Sequence, residues 1–312
     1  MSRFVRKVRV RVPATSANLG PGFDCLALAL DLWNETTFSL EGEGLTLHSQ
    51  GEGCDIPPDE RNLLLQGMRV LCRTRGLPFP ENLTIQCRND IPVGSGLGSS
   101  AAASLTGLLG AAALLGQPLE ALDALELCAG MEGHADNAAA AVYGGLVAVA
   151  AGKEGWLVRS IAVPPLDVAV VLPEISLSTQ AARAALPEQV AFEDAAFNLG
   201  RVVLVVEALR SGDLSLLNQA ADDRLHQPYR LPLIPGGKDA IQAAYQAGAS
   251  AVTISGAGPS LIAFTAGSSN AAGSATAAAD AMTAAFQARG VQARAFTLHA
   301  SQIGARVEDL IG

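Results

Sequence analysis

The stretch Ile91–Ala103, IPVGSGLGSSAAA, sets glycines at alternate positions 94, 96 and 98, follows them with two serines and an alanine run, and holds no lysine. Upstream, Leu83–Cys87 alternates apolar and polar side chains as a half-buried strand does, and Pro92 ends that strand. Downstream, Ser99–Leu115 is rich in Ala and Leu, which favours helix. Glycines at 94, 96 and 98 tolerate positive φ and let main-chain N–H groups turn inward on a guest. The first helical turn adds its own orphan N–H groups and the positive end of the helix dipole. The segment reads as a phosphate cradle without a lysine, with Pro92, Val93, Gly94, Ser95, Gly96, Leu97, Gly98, Ser99, Ser100, Ala101 and Ala102 as candidate contacts. The glycine spacing alone describes a plain turn into a buried helix equally well, and Ser99 alone reads as that helix's N-cap.

Two familiar phosphate loops do not fit. G-x-x-x-x-G-K-[ST] is missing: the Gly237-Lys238 pair has Pro232 where the first glycine belongs and Asp239 after it. G-x-G-x-x-G fails because the third glycine comes one residue early.

At 312 residues and 49% hydrophobic, the chain has enough apolar matter for a large core and two domains of ordinary size. A net charge of −9 and a pI near 4.9 argue against a nucleic-acid partner, whose phosphates the mean field would repel. The five basic residues between Arg3 and Arg11 are the exception. Val8, Val10 and Val12 alternate with Arg9 and Arg11 there, so they read as the solvated face of an edge strand. No apolar leader region follows them. The five cysteines, an odd number in no metal-like spacing, fit reduced thiols in the cytoplasm. Ile91–Leu119 carries no charge and is long enough to span a bilayer, but Gly, Ser and Ala are too weakly apolar to drive insertion, and Pro92 and Pro118 bracket the run. A buried core helix is the expectation, and no membrane partner is read.

Periodicity places strands at Arg6–Val12, Leu26–Leu40, Leu83–Cys87, Leu146–Ala150, Val168–Leu172, Ala251–Ile254, Leu261–Thr265 and Gln292–Leu298. Helices are expected over Asn62–Arg75, Ser99–Leu115, Leu119–Glu132, Ala195–Ser211, Leu214–Ala221, Gly237–Ala247 and Ala271–Arg289. Helices and antiparallel strands mix without a βαβ repeat, which suggests two α+β domains with a boundary at Pro164 and Pro165.

Two further motifs flank the glycine loop: Pro13–Asp24 (PATSANLGPGFD) and Ser255–Leu261 (SGAGPSL). In this order the three segments resemble the GHMP kinases, and the resemblance spans nearly the whole chain. Within that family, Pro13–Asp24, Gly133–Asn137 (GHADN) and His226–Arg230 (HQPYR) are similar to the subgroup that acts on homoserine. Ala135 stands where a proline is common, which touches the rigidity of that turn and nothing chemical. The resemblance implies an amino domain like ribosomal protein S5 domain 2 over residues 1–163, a ferredoxin-like carboxyl domain over 164–312, and an active cleft between them. It further implies ATP and Mg2+ as cofactors and a homodimer. The implied activity is transfer of phosphate to the side-chain hydroxyl of L-homoserine, on the route to threonine.

Phosphoryl transfer asks the protein to position two oxygens and to neutralise phosphate charge, and magnesium needs few protein ligands for the second task. Position alone makes Glu132 a solvated helix-terminal acid; the family likeness makes Glu132 and Ser100 the metal ligands. An amino-acid substrate calls for an acidic acceptor for its ammonium and an arginine fork for its carboxylate. By the same likeness Asn18 and Asp24 are candidates for the first role, and Arg183 and Arg230 for the second. Read alone, Asn18 and Asp24 are Asx-turn residues and the arginines are surface residues. Mevalonate has no ammonium, which disfavours it as substrate beside Asp24. Related kinases place an aspartate near the attacking hydroxyl, whereas this chain has Asn137 there, and asparagine takes no proton. A loose transition state suits Asn137 as a positioning group, with the proton passing late to the phosphate. Asp136 is the rival base, and its alternative is buttressing the turn. His134 is read either as a structural imidazole or as a proton carrier. Asn62 with Leu63 matches a segment that lines the adenine pocket. Gly256, Gly258 and Ser260 are expected either to close on the phosphate loop or to form a plain hairpin. The competing readings are a GHMP kinase for mevalonate or shikimate, and a catalytically silent metabolite sensor on the same fold.

Overall fold

The computed structural model describes residues 7–266 and 274–310. Arg3 and Arg6 of the basic segment, and residues 271–273 at the start of the last expected helix, lie outside the described residues. The amino half runs β1 (Lys7–Ala17), β2 (Leu26–Ser39), β3 (Leu45–Gly51), α1 (Leu63–Thr74), β4 (Leu83–Asn89), α2 (Ser99–Leu114), α3 (Ala121–Glu132), α4 (Asp136–Tyr143), β5 (Leu146–Gly152) and β6 (Gly155–Ile161). The carboxyl half adds β7 (Asp167–Pro173), α5 (Thr179–Ala184), α6 (Phe192–Ser211), α7 (Leu214–Ala220), α8 (Gln227–Arg230), α9 (Gly237–Gln246), β8 (Ala251–Ile254), β9 (Leu261–Thr265), α10 (Ala275–Ala288), β10 (Ala293–His299) and β11 (Arg306–Asp309).

The first sheet has the order β11-β1-β2-β4-β3 and forks at β2, whose opening residues pair with β5 and whose closing residues pair with β4. A register shift at Pro13/Ala14, beside that fork, lets β1 follow β2 along its whole length. The second sheet has the order β10-β7-β9-β8, all antiparallel, with α5 to α9 between β7 and β8 in the chain and α10 between β9 and β10. That is the ferredoxin-like β-α-β-β-α-β arrangement.

The charge-free helix α2 is a core element. It buries most of its residues, and it meets α1 almost backbone to backbone: a Cβ on Gly107 would lie 1.9 Å from the Leu64 carbonyl oxygen, and one on Gly67 would lie 2.3 Å from that of Ser104. The glycines permit the close crossing, and the crossing fixes where the loop ahead of α2 sits.

Several expectations change. β1 is an interior strand, because the late segment β11 pairs along it; Arg9 and Arg11 do face solvent, in ion pairs with Glu35 and, for Arg9, Glu308. A local pattern could not show a partner almost 300 residues away. β3 and β4 run parallel through α1, a single βαβ unit among the described residues and not a repeat. β3, β6 and β11 escaped the sequence reading because they are edge strands with little buried alternation. The short helices α4, α5 and α8, of eight, six and four residues, escaped it as well. Ser99 is not an N-cap: Gly98 holds that place in the left-handed region, and no side chain caps the helix. Among the described residues no helix is long and apolar enough to cross a membrane.

Candidate active site

A cleft of about 330 Å3 opens where the two halves meet. Asn18, Asp24, Asn62, the glycine loop, Ser100, Asp136 and Asn137 line it from the amino half; Arg183, Arg230 and Gly256–Gly258 line it from the carboxyl half.

Leaving α2 uncapped has a chemical result. The main-chain N–H groups of Gly94, Gly96, Gly98, Ser99, Ser100 and Ala101 have no protein acceptor among the described residues, so they form a nest of donors at a helix N-terminus. The three glycines divide the labour. A Cβ on Gly94 (φ 66°) would meet nothing within 4 Å, so only there does the missing side chain leave space for a guest. On Gly96 (φ 82°) it would lie 2.3 Å from the Ser255 carbonyl oxygen, and on Gly98 (φ 71°) 2.0 Å from Thr15 Oγ1. Those two admit neighbouring protein. Ser95 and Leu97 are buried, and the Ser95 hydroxyl closes the loop on itself, donating to the Pro92 carbonyl at 2.7 Å.

The Ser255–Leu261 segment is both a hairpin between β8 and β9 and a clasp on the glycine loop. Ser255 Oγ donates to the Gly96 carbonyl (2.8 Å), the Gly256 N–H to the Ala17 carbonyl (3.0 Å), and the Ser260 N–H to the Ser95 carbonyl (3.3 Å). Asn62 caps α1, its Oδ1 accepting from the Leu64 and Leu65 N–H groups. Around it Thr36, Leu47, Ser49 and Cys87 complete a wall that sequence reading missed, since two of its residues stand on the unrecognised β3.

Glu132, the last residue of α3, takes hydrogen bonds on both oxygens: from Ser100 Oγ, and from Ser104 Oγ at 2.9 Å. Ser100 and Ser104 sit one turn apart on α2 and so present the same face. Ser104 was missed; its spacing from Ser100 was the available signal. The described residues hold no cluster of three or more His, Cys, Asp or Glu side chains suited to a metal. One carboxylate and one hydroxyl beside an anion nest fit Mg2+, which keeps most of its waters and leans on phosphate oxygens.

At the start of α4, Asp136 is buried, and its Oδ1 accepts from His134 Nδ1 (2.8 Å) and from the Asn137 N–H (2.7 Å). The Asp136 hydrogen bond pushes the His134 pKa up from its ordinary value, against the opposing effect of burial. His134 therefore bonds a carboxylate and not the backbone. Asn137 Oδ1 accepts from Thr15 Oγ1 at 2.8 Å, and its Nδ2 donates one hydrogen to Asp136 Oδ1 at 3.4 Å, which leaves the second amide hydrogen for a ligand. Thr15 is a second residue that sequence reading left without a role.

Asn18 (φ 71°), Leu19 (φ 46°) and Asp24 (φ 55°) all occupy the left-handed region, which is costly for Leu in particular. Asn18 fastens this turn: Oδ1 accepts from the Asp24 N–H (2.9 Å) and Nδ2 donates to the Gly256 carbonyl (2.6 Å). The Asp24 carboxylate meets Arg183 in a two-pronged pair at 2.9 and 3.0 Å, which raises the Arg183 pKa. Arg230 differs from Arg183. It is 1% exposed, donates to the carbonyls of Ala182 and Gly256 (each 3.3 Å), and forms no ion pair with a carboxylate among the described residues. Burial, and then the nearby Arg183 charge, lower its pKa. An arginine buried among neutral acceptors is a cation short of an anion.

Residues 62–145 match the GHMP kinases N terminal domain and residues 205–288 match the GHMP kinases C terminal domain. A homoserine kinase of Moorella thermoacetica is 44% identical over 91% of this chain and 94% of its own, and one of Synechococcus sp. is 41% identical over 97% and 96%. Among solved structures, a homoserine kinase from Cytophaga hutchinsonii superposes with a TM-score of 0.85 at 32% identity over 99% of each chain. The L. major mevalonate kinase, at 17% identity and a TM-score of 0.73 over 96% of this chain and 98% of its own, shares the fold. With its uncapped glycine loop, its clasp from the second sheet and these likenesses over nearly its full length, the chain belongs to the GHMP kinase family.

Proposed function

We propose that the protein transfers the γ-phosphate of ATP to the side-chain hydroxyl of L-homoserine, giving O-phospho-L-homoserine for threonine biosynthesis, as a cytoplasmic homodimer. The observation that carries the substrate assignment is the pairing of unlike arginines. Arg183 is matched by Asp24, and Arg230 is buried with no carboxylate in ion-pair contact among the described residues, Asp24, Asp223 and Asp136 acting on it only from farther off, so the site has a carboxylate to offer an ammonium and a guanidinium to offer a carboxylate. An α-amino acid satisfies both; mevalonate or shikimate would satisfy only the second.

The chain's own residues divide the work as follows. The donor nest from Gly94 to Ala101 receives the phosphates, with Asn62 at the nucleobase end. Glu132 and Ser100 would hold Mg2+, which when bound neutralises phosphate charge. Asn137, its amide turned by Thr15, positions the attacking hydroxyl through Nδ2. Asp24 and Asn18 receive the ammonium side, and Arg230 and Arg183 the carboxylate side. Asp136 is already committed to His134 and Asn137, which supports a buttressing role and a late proton passing to the transferred phosphate.

ADP release measured side by side with L-homoserine, L-threonine, mevalonate and shikimate tests the reading. Turnover with homoserine at least 100-fold above mevalonate is expected, since the mismatched site leaves buried polar groups unpaired. Strong turnover with mevalonate and none with homoserine would remove the substrate assignment and leave the fold. Tight nucleotide binding without turnover of any alcohol would favour the sensor. For the proton, Asp136→Ala is expected to lower kcat while the acidic limb of the pH profile stays in place. A folded Asp136→Ala protein whose residual turnover is lower by orders of magnitude and no longer shows the acidic limb would make Asp136 the base.

A further inference from the structure

Behind Arg230 lies a buried histidine that the reaction as described does not use. His226 has 0% exposure and sits one helical turn before Arg230, at the N-cap of α8. Its Nε2 is 2.7 Å from the Gly20 carbonyl oxygen, with Asp223 Oδ2 farther off at 3.5 Å. A carbonyl oxygen only accepts, so Nε2 carries the proton. Burial pushes the pKa of the ring down, which keeps it neutral and leaves Nδ1 as a lone-pair acceptor. That lone pair faces Arg230 Nη1 at 3.4 Å.

The surroundings hold the ring in place. The Asp223 carboxylate, fully buried, accepts from the N–H groups of Leu225 (2.9 Å), His226 (3.0 Å) and Gln227 (2.6 Å), which pins the start of α8. Phe23 stacks on the imidazole with centroids 5.2 Å apart, and the Arg230 guanidinium lies 5.1 Å over the same Phe23 ring. Phe23 directly precedes Asp24. One stack therefore joins the turn that carries the ammonium acceptor to the arginine offered to the carboxylate.

We infer that His226 is a positioning residue for substrate binding: its neutral Nδ1 aims the Arg230 guanidinium into the cleft and so sets affinity for the substrate carboxylate. The inference rests on the homoserine reading. A carboxylate on His226's side of the guanidinium would neutralise Arg230, whereas an imidazole lone pair orients it and leaves its charge for the ligand.

Two substitutions separate the two ring nitrogens. Asparagine places a side-chain oxygen near the Nδ1 position, and glutamine places an amide N–H near the Nε2 position. His226→Gln, keeping the Gly20 bond and losing the acceptor, is expected to raise KM for L-homoserine about 10-fold, the loss of one hydrogen bond to a charged group. Its kcat and its KM for ATP should stay within about twofold. His226→Asn is expected to recover most of that KM. L-Homoserine amide, which lacks the carboxylate charge, should show the same KM with wild type and with His226→Gln. If the amide loses as much as homoserine, or if both variants match wild type with homoserine, His226 acts only on the fold and the inference is overturned. Wild type that fails to turn over homoserine at all would refute the substrate reading itself, and this inference with it.

Discussion

Glu132→Gln is expected to lower kcat about 1,000-fold with the melting temperature nearly unchanged, because it removes one charge aimed at the phosphates and little packing. The geometry makes the test clean. Glutamine keeps the length of the side chain and still offers an oxygen to Ser100 or Ser104, so the α2–α3 contact survives. What is lost is the anionic ligand for a hard cation. The apparent affinity for Mg2+, followed by titrating turnover against free metal at fixed ATP, should fall in parallel with kcat. Ser104→Ala provides the graded comparison. It frees one carboxylate oxygen, leaves the charge, and should cost far less than Glu132→Gln. Wild-type kcat and wild-type Mg2+ dependence in a folded Glu132→Gln protein would move the metal site elsewhere in the cleft.

The parts of this molecule that were legible in the sequence are those whose cause is local. The glycine loop announced itself because positive φ three times in five residues leaves few other residue types possible. The helix after it was legible from Ala and Leu content, and the wide strands from alternation. The parts that were not legible have distant causes. Arg9 and Arg11 look like the decoration of an edge until β11 arrives from the other end of the chain. Arg183 and Arg230 are indistinguishable as letters; only burial and the presence or absence of a carboxylate partner separate an arginine already matched from one awaiting an anion. Glycines 94, 96 and 98 likewise look equivalent in sequence. One faces the guest, and the other two face Ser255 and Thr15, residues on segments far away in the chain.

That last distinction predicts opposite phenotypes for one substitution made at two places. Gly94→Ala adds a methyl group to open cleft, so it carries only the left-handed penalty of about 1–2 kcal/mol, but the methyl projects where phosphates are expected to lie. Its melting temperature should fall slightly while KM for ATP rises at least 10-fold, by crowding of the donor nest. Gly98→Ala carries the same backbone penalty and in addition drives a carbon to 2.0 Å from Thr15 Oγ1 and 3.1 Å from Asn137 Oδ1. Overpacking of that kind adds a similar amount, so destabilisation on the order of 3 kcal/mol is expected. Relief must come from Thr15, and any movement of its hydroxyl breaks the 2.8 Å bond that orients Asn137. Turnover should therefore collapse along with stability. The double variant Thr15→Ala/Gly98→Ala tells the two losses apart. It opens the space and should recover much of the melting temperature, while kcat stays low because only the longer bond to Asp136 still holds the Asn137 amide. If the double variant regained wild-type kcat, orientation of Asn137 by Thr15 would have no part in catalysis. If Gly98→Ala melted like wild type, the close approach of Thr15 to the loop would be wrong, and with it the account of why a glycine must stand there.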